Sequence, residues 1–310
     1  MAPVPPPPTI GVFDSGFGGL TVLRALLPLQ TYANYIYLGD TARLPYGSKS
    51  QETIARYAVS SAKFLHDQGA ELLVIACNTA TALALEDIQQ SLSIPVIGVV
   101  EPGAQAASQA HKKDCHPERN ETESKDLRFA STPKTLVLAT QATVQSGAYT
   151  RALNALNLEA FEKACPLLVP LVEEGWIDHP VTDEVLRIYL TEALNQAPDA
   201  TTLLLGCTHY PLIEPAIRRT LAKLNHPLAI IDSAQATAEA VVRNLTLSHS
   251  GDRTLATAVL NYANLRAKNS KPDAQNCTFY ATDSIEKFEC LGSAFLGLPV
   301  TGVRHVDLGG

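Results

Sequence analysis

A short apolar run that stops at a cysteine and turns at once into a helix constrains this chain more than any other feature. Over residues 71–88, ELLVIACNTATALALEDI, the apolar run ends in Cys77-Asn78-Thr79, and an alanine- and leucine-rich pattern of helical period follows. The run reads as a buried strand. The turn then places the cysteine at the strand's carboxyl end, where open α/β sheets bind ligands. The arrangement returns at 201–217, TTLLLGCTHYPLIEPAI, with Cys207 followed by Thr208-His209 and a helix expected to open at Pro211. Matching places in two similar units predict a pair of thiols facing each other.

The rest of the chain repeats the alternation. Residues 9–13 are strand-like, the glycine-rich Asp14-Ser15-Gly16-Phe17-Gly18-Gly19 is a turn, and 20–27 is a helix. A second strand at 34–38 leads into the loop 39–47, GDTARLPYG, which can lay Pro45, Tyr46 and Gly47 over a site. Residues 50–68 are helical and 94–100 form a fourth strand, after which Glu101-Pro102-Gly103 carries the chain onward. Further strands are expected at 135–138, 167–171, 228–231 and 278–281, with helices at 149–156, 183–195, 237–244 and 284–295. Two half-chains with the same order of units predict an internal duplication, an α/β fold with mainly parallel sheets, and a site between the halves. The segment 108–133, SQAHKKDCHPERNETESKDLRFASTP, is charged and poor in large apolar residues, which predicts a polar surface excursion. His111, Cys115 and His116 within it lack a fourth ligand at metal-binding spacing.

Composition narrows the function classes. A chain of 310 residues, 46% of them hydrophobic, can bury two ordinary cores. Its net charge of −7 and the lack of a basic stripe disfavour direct contact with nucleic acid. Six cysteines show no CxxC spacing, and the start MAPVPPPP, the head of a proline-rich tail, has neither the charged nor the apolar region of a secretory signal. The expected compartment is the cytoplasm, with reduced thiols. Every long apolar segment is broken well short of the about 20 residues that a membrane-spanning helix needs, so no membrane partner is expected.

Three chemistries use thiols. A dithiol redox pair favours CxxC, which is absent, and a thiol hydrolase pairs one cysteine with a histidine, which fits Cys207 and His209 but leaves Cys77 without a role. Two-base proton transfer uses both: one thiolate removes a proton from one face of a carbon acid while the other thiol delivers one to the opposite face. A free thiol has a pKa near ~8.5, so each needs help, and helix N-termini expected directly after both cysteines supply part of it. Asn78, Thr79, Thr143 and Thr208 are placed to donate hydrogen bonds to a substrate carboxylate, although threonines in such turns also serve as helix caps. The DSGFGG turn lacks the full GxGxxG and the P-loop lysine, and Asp14 would repel phosphate. The amine of an amino acid is the more natural guest there, with its carboxylate on Ser15. No lysine has a pyridoxal phosphate setting and no ligand set suits a metal, so no cofactor is expected. A binding module for amino acids is the alternative from another class, but it would have no need of two thiols.

The stretches GVFDSGFGGLTVL, LPYG, ACNTATA, LATQATVQS, LVEEG, LLGCTHYPL and IIDSA span nearly the whole ordered chain. Together they resemble the glutamate racemases of the aspartate/glutamate racemase superfamily. The resemblance implies cofactor-independent interconversion of L- and D-glutamate, supplying D-glutamate for peptidoglycan. Racemisation of aspartate or another acidic amino acid is the alternative. It also implies that Cys77 and Cys207 are catalytic, that Asp14 and His209 assist them, and that Glu173 is an acidic residue near the cleft. Asp14-Ser15, Tyr46-Gly47, Asn78-Thr79 and Thr208-His209 would contact the substrate. The implied fold is two pseudo-symmetric α/β domains: residues 9–100 with 228–310 form the first and 101–227 the second, with a proline-rich tail at 1–8 and the active site in the cleft between the domains. Pairing as a homodimer stays open. The excursion at 108–133 is longer and more polar than this connection is in the family.

Overall fold

The computed structural model describes residues 6–114, 132–248 and 274–309. Cys115, His116 and the remainder of the expected excursion up to 131 lie outside them. The chain divides into two compact units, Met1–Val99 with Ala234–Gly310, and Val100–Ser233.

The first stretch runs β1 (Thr9–Asp14), α1 (Leu20–Leu29), β2 (Asn34–Gly39), α2 (Gln51–Asp67), β3 (Leu72–Ile75), α3 (Asn78–Ser91) and β4 (Val96–Gly98). The second unit follows as α4 (Val100–Asp114), β5 (Lys134–Ala139), α5 (Gln141–Ser146), α6 (Ala148–Asn154), β6 (Glu159–Ala164), α7 (Leu168–Glu173), α8 (Pro180–Gln196), β7 (Thr202–Gly206), α9 (Glu214–Lys223) and β8 (Ala229–Asp232). Helix α10 (Ser233–Ser248) opens the return to the first unit, which is completed by β9 (Cys277–Ala281), α11 (Ile285–Leu296) and β10 (Arg304–His305). No described helix is long and apolar enough to cross a membrane.

All described strands pair in parallel. The first sheet has the order β10-β9-β2-β1-β3-β4 and the second β6-β5-β7-β8. The run β2-β1-β3-β4 therefore repeats as β6-β5-β7-β8, and Cys77 and Cys207 follow equivalent strands. Parallel strands covered by helices on both faces carry near-continuous apolar runs, which is why TIGVFD, LLVI and TLLLG are legible as strands. In the first unit Ile54, Ala58, Ala62 and Leu65 of α2 pack on Phe13, Leu38, Leu73 and Ile75. Each of the isoleucine, leucine and phenylalanine side chains contributes about 1.5–3 kcal/mol by leaving water, and each alanine less. In the second, Val137 and Leu204 are covered by Ala104, Ala107, Tyr149 and Leu153.

Several expectations are corrected. Glu101-Pro102-Gly103 is the first turn of α4, where proline costs no hydrogen bond, and that helix takes in the first part of the supposed excursion. Ala104, Ala107, Ser108 and His111 recur at the helical period and are buried. His111 is thus a packed residue of the second core, its Nε2 3.0 Å from Thr135 Oγ1 and its Nδ1 3.3 Å from Thr201 Oγ1. The expected strand at 167–171 is helix α7, with Leu168 and Val172 buried four residues apart. The strand lies earlier, at β6, an edge strand whose partly exposed EAFEKA has no apolar run. Strand β8 pairs with β7 in the second unit, so residues 228–233 do not belong with the first, as the expected boundary had it. Cys207 is followed by a turn and a 3-10 segment, Tyr210–Ile213, and α9 begins only at Glu214.

The DSGFGG turn has a steric reason for its last glycine. A Cβ at Gly19 would lie 2.5 Å from the Asp14 Cβ and 2.8 Å from that of Ala76. Gly19→Ala should therefore displace Asp14 and cost about 1–3 kcal/mol by overpacking, read as a lower urea midpoint at unchanged slope. A variant as stable as its parent would refute this packing argument.

Candidate active site

Cys77 lies just past the end of β3, in extended backbone, and serves as the N-cap of α3. Its Sγ accepts the Ala80 N–H at 3.4 Å and donates to Ser15 Oγ at 3.3 Å. Asp14 ends the neighbouring strand β1, and its Oδ2 accepts the Gly16 N–H at 2.9 Å. Burial pushes the Cys77 thiol up to about 12, helped by the negative charge of Asp14, while the Ser15 and Ala80 hydrogen bonds pull the other way. Asn78 and Thr79 form the first turn of α3 and are buried beside it. The first unit thus brings Asp14, Ser15 and Cys77 together around one protonated thiol.

Cys207 has a different helper. His209 Nδ1 lies 3.9 Å from Cys207 Sγ and 3.5 Å from Thr208 Oγ1, and His209 Nε2 lies 3.1 Å from Glu173 Oε1 at the end of α7. A tight turn, with Tyr210 N–H donating to Cys207 O at 3.1 Å, fixes the short path between thiol and ring. Burial alone would discharge the imidazole. The hydrogen bonds with Cys207 and Glu173 and the charge of Glu173 outweigh it and raise His209 to about 10, so the ring is an imidazolium at neutral pH. Both thiols keep the same small exposure, 5%.

The other expected contacts divide. Tyr46 is buried, with its hydroxyl donating to Asp40 Oδ2 at 2.5 Å, whereas Pro45 is exposed and Gly47 partly so. Burial and then the charge of Asp40 push the Tyr46 phenol far above its ordinary range. Thr143 is fully buried in the first turn of α5; its N–H donates to the N-cap Thr140, and their hydroxyls are 2.9 Å apart. Asp40, a hub for the 39–47 loop, was not singled out by sequence, where it reads as one more turn residue. Among the described residues no group of three or more His, Cys, Asp or Glu is placed to hold a metal ion. A surface cavity of about 600 Å³ in the second unit, lined by Asp178, Asp183, Arg187, Arg219 and Lys223 among others, contains none of the expected site residues.

The chain is similar to known proteins over almost its full length. It is 48% identical over 308 residues to the glutamate racemase of Koribacter versatilis (strain Ellin345), covering 98% of each chain. The crystal structure of glutamate racemase from Thermus thermophilus in complex with β-chloro-D-alanine matches with a TM-score of 0.75 at 39% identity, covering 98% of each chain. That of glutamate racemase from Francisella tularensis subsp. tularensis SCHU S4 in complex with D-glutamate matches with a TM-score of 0.77 at 30% identity, covering 98% of this chain and 99% of the other. The family profile described as Asp/Glu/Hydantoin racemase matches residues 21–241. Taken with the two thiol-bearing strand ends, these similarities show that the chain belongs to the Asp/Glu/Hydantoin racemase family.

Proposed function

We propose that this protein interconverts L- and D-glutamate by proton transfer at the α-carbon, with Cys77 and Cys207 as its two acid–base groups and no cofactor. The observation that carries the reading is the placement of a thiol after equivalent parallel strands, each hydrogen-bonded to its own polar partner, Ser15 at Cys77 and His209 at Cys207. Full-length similarity to glutamate racemases supports glutamate as the substrate over aspartate. The product would supply D-glutamate for peptidoglycan, in the cytoplasm, where the thiols stay reduced; assembly as a homodimer would be read by light scattering.

From L-glutamate, the Cys207 thiolate takes the α-proton beside the His209 imidazolium. The electron pair of the broken C–H bond is left on the α-carbon and spreads into the carboxylate. Cys77, which holds its proton in the resting enzyme, then delivers it to the opposite face and is left as thiolate. For D-glutamate the roles exchange, and a Cys77 thiolate has to be sustained by Ser15, Ala80 N–H and the N-terminus of α3. The substrate ammonium assists this direction. Bound at Asp14, it would cancel the negative charge that adds to the Cys77 shift. Asn78, Thr79, Thr208 and the backbone around Tyr46-Gly47 are the proposed donors to the substrate carboxylates.

The decisive measurement is exchange of the α-proton of each glutamate enantiomer with solvent deuterium, in EDTA and after carbonyl-reagent treatment. Exchange should persist; its absence, or its appearance only with aspartate, would sink the reading. One positioned acid–base group is worth ~10²–10⁴-fold, so Cys77→Ala or Cys207→Ala should lower racemisation by at least that factor in both directions. A substrate analogue with a leaving group needs only one base, and Cys77→Ser should still eliminate from its L-form and Cys207→Ser from its D-form. Equal loss from both forms in each variant would remove the assignment of faces.

The His209 charge makes a separate prediction. Because its pKa is raised from 6.5 to about 10, the stability it adds is fully present below about pH 6.5 and is lost as pH rises through about 10. The Tm gap between the parent and His209→Asn should therefore be widest near pH 6 and narrow steadily toward pH 10. A gap independent of pH would mean that the folded ring is neutral.

A further inference from the structure

Asp40 follows β2 directly and is fully buried, at 0% exposure. A carboxylate so placed is costly unless its oxygens are bonded, and here three side chains donate to it, two from the loop that follows it and one from the far end of the chain. Arg43 Nε donates at 2.8 Å, Tyr46 hydroxyl at 2.5 Å and Thr282 hydroxyl, just past β9, at 3.0 Å. Arg43 Nη2 also reaches Ser61 Oγ at 3.4 Å, and its guanidinium covers the Tyr57 ring at 4.5 Å. The same hub is tied into the backbone: Asp40 N–H donates to Asp14 O at 3.0 Å, and Ala42 N–H donates to Thr282 Oγ1 at 2.9 Å. Thr41 and Asp283 add a reciprocal pair, the Thr41 hydroxyl to Asp283 O at 2.5 Å and Asp283 N–H to Thr41 Oγ1 at 2.9 Å.

We infer that Asp40 is a positioning residue for the 44–47 loop: held by Thr282 from the far end of the chain, its carboxylate turns the Arg43 and Tyr46 side chains inward and so fixes the backbone from Pro45 to Gly47 in register with Asp14. The inference rests on the proposed racemase reading, in which that backbone and Asp14 contact the substrate. Asp40 itself does not. Arg43 Nε lies 2.8 Å from both of its oxygens, Thr282 adds a hydrogen bond to Oδ1 and Tyr46 one to Oδ2, so the carboxylate is fully occupied by these three side chains. Thr282 and Asp283 lie outside the 21–241 family match, so the clamp is contributed by the part of the chain that this match does not reach. A loop that holds a substrate carboxylate whose charge does not change in the reaction supplies uniform binding, and its loss appears in KM rather than kcat.

The test is Asp40→Asn and Thr282→Val in the full-length protein. Asparagine keeps the shape but loses the charge and one acceptor, and hydrogen bonds to charged groups are worth enough for about a tenfold effect or more. Asp40→Asn should raise KM for both glutamate enantiomers about tenfold or more with kcat within about threefold, and Thr282→Val should raise KM by a smaller factor in the same sense. Tyr46→Phe should add little to KM in the Asp40→Asn background, because both changes break one bond. Cleavage by trypsin after Arg43 should be faster in Asp40→Asn at a temperature where the protein is folded. If Asp40→Asn does not fold, Thr282→Val carries the test alone by the same KM and trypsin readouts. A fall in Tm with KM unchanged in either variant would make the hub merely structural and overturn the inference. If the parent protein turns over neither enantiomer, the functional reading fails by itself. Trypsin then decides the clamp: faster cleavage after Arg43 supports it and unchanged cleavage overturns it.

Discussion

Parallel pairing of every described strand is the constraint from which the rest follows. A parallel ladder makes every strand run the same way, so all carboxyl ends emerge on one edge of their sheet, and the register levels them. In the first unit Asp14 pairs with Gly39 and Gly39 with Ala281, which places Asp14, Asp40 and Thr282 side by side although they come from distant parts of the chain. The hydrogen bonds among these segments are then short-range consequences of long-range pairing. In the second sheet the same rule brings out Cys207, Thr140 and Cys165 after β7, β5 and β6.

The two equivalent strand ends are not chemically equivalent. After β3 the chain enters a helix at once, and the thiol caps it; after β7 the chain turns, and the helix is delayed to Glu214. The first thiol is held protonated by burial and a neighbouring carboxylate, and the second sits beside an imidazolium stabilised by Glu173. Under the proposed mechanism such a division would serve the two directions differently, with the substrate's own charge assisting the one that starts at Cys77. The duplicated topology supplies the symmetry of placement, and the few residues after each cysteine supply the difference.

What was legible in the sequence follows the same physics. Strands buried on both faces write themselves as apolar runs, and both thiol turns could be placed from 71–88 and 201–217 alone. The edge strand β6 could not, because an edge needs no apolar run, while the buried face of α7 mimicked one. His111 read as part of a charged loop because the helical period of Ala104, Ala107 and Ser108 fades into a polar segment. Strand β8 was expected in the first unit with the rest of 228–310; only its pairing with β7 decides the sheet. The Asp40 hub was beyond sequence reading for a simpler reason. Two of its donors lie within six residues, but the third is 242 residues away, and nothing local marks a buried carboxylate.

The return of β9 to the edge of β2 also sets the order in which the protein can be made. The second unit is one uninterrupted segment, Val100–Ser233, and can form its core as soon as it has left the ribosome. The first unit, though begun earlier, waits. Until Cys277–Ala281 is synthesised, β2 presents an unpaired edge and Asp40 has no Thr282, so the first domain to be translated is the last to close. A ribosome pausing once Ser233 has emerged but before Cys277–Ala281 has would hold a finished second unit and an open first one. That open edge of β2 exposes the nascent chain to mispairing until β9 arrives.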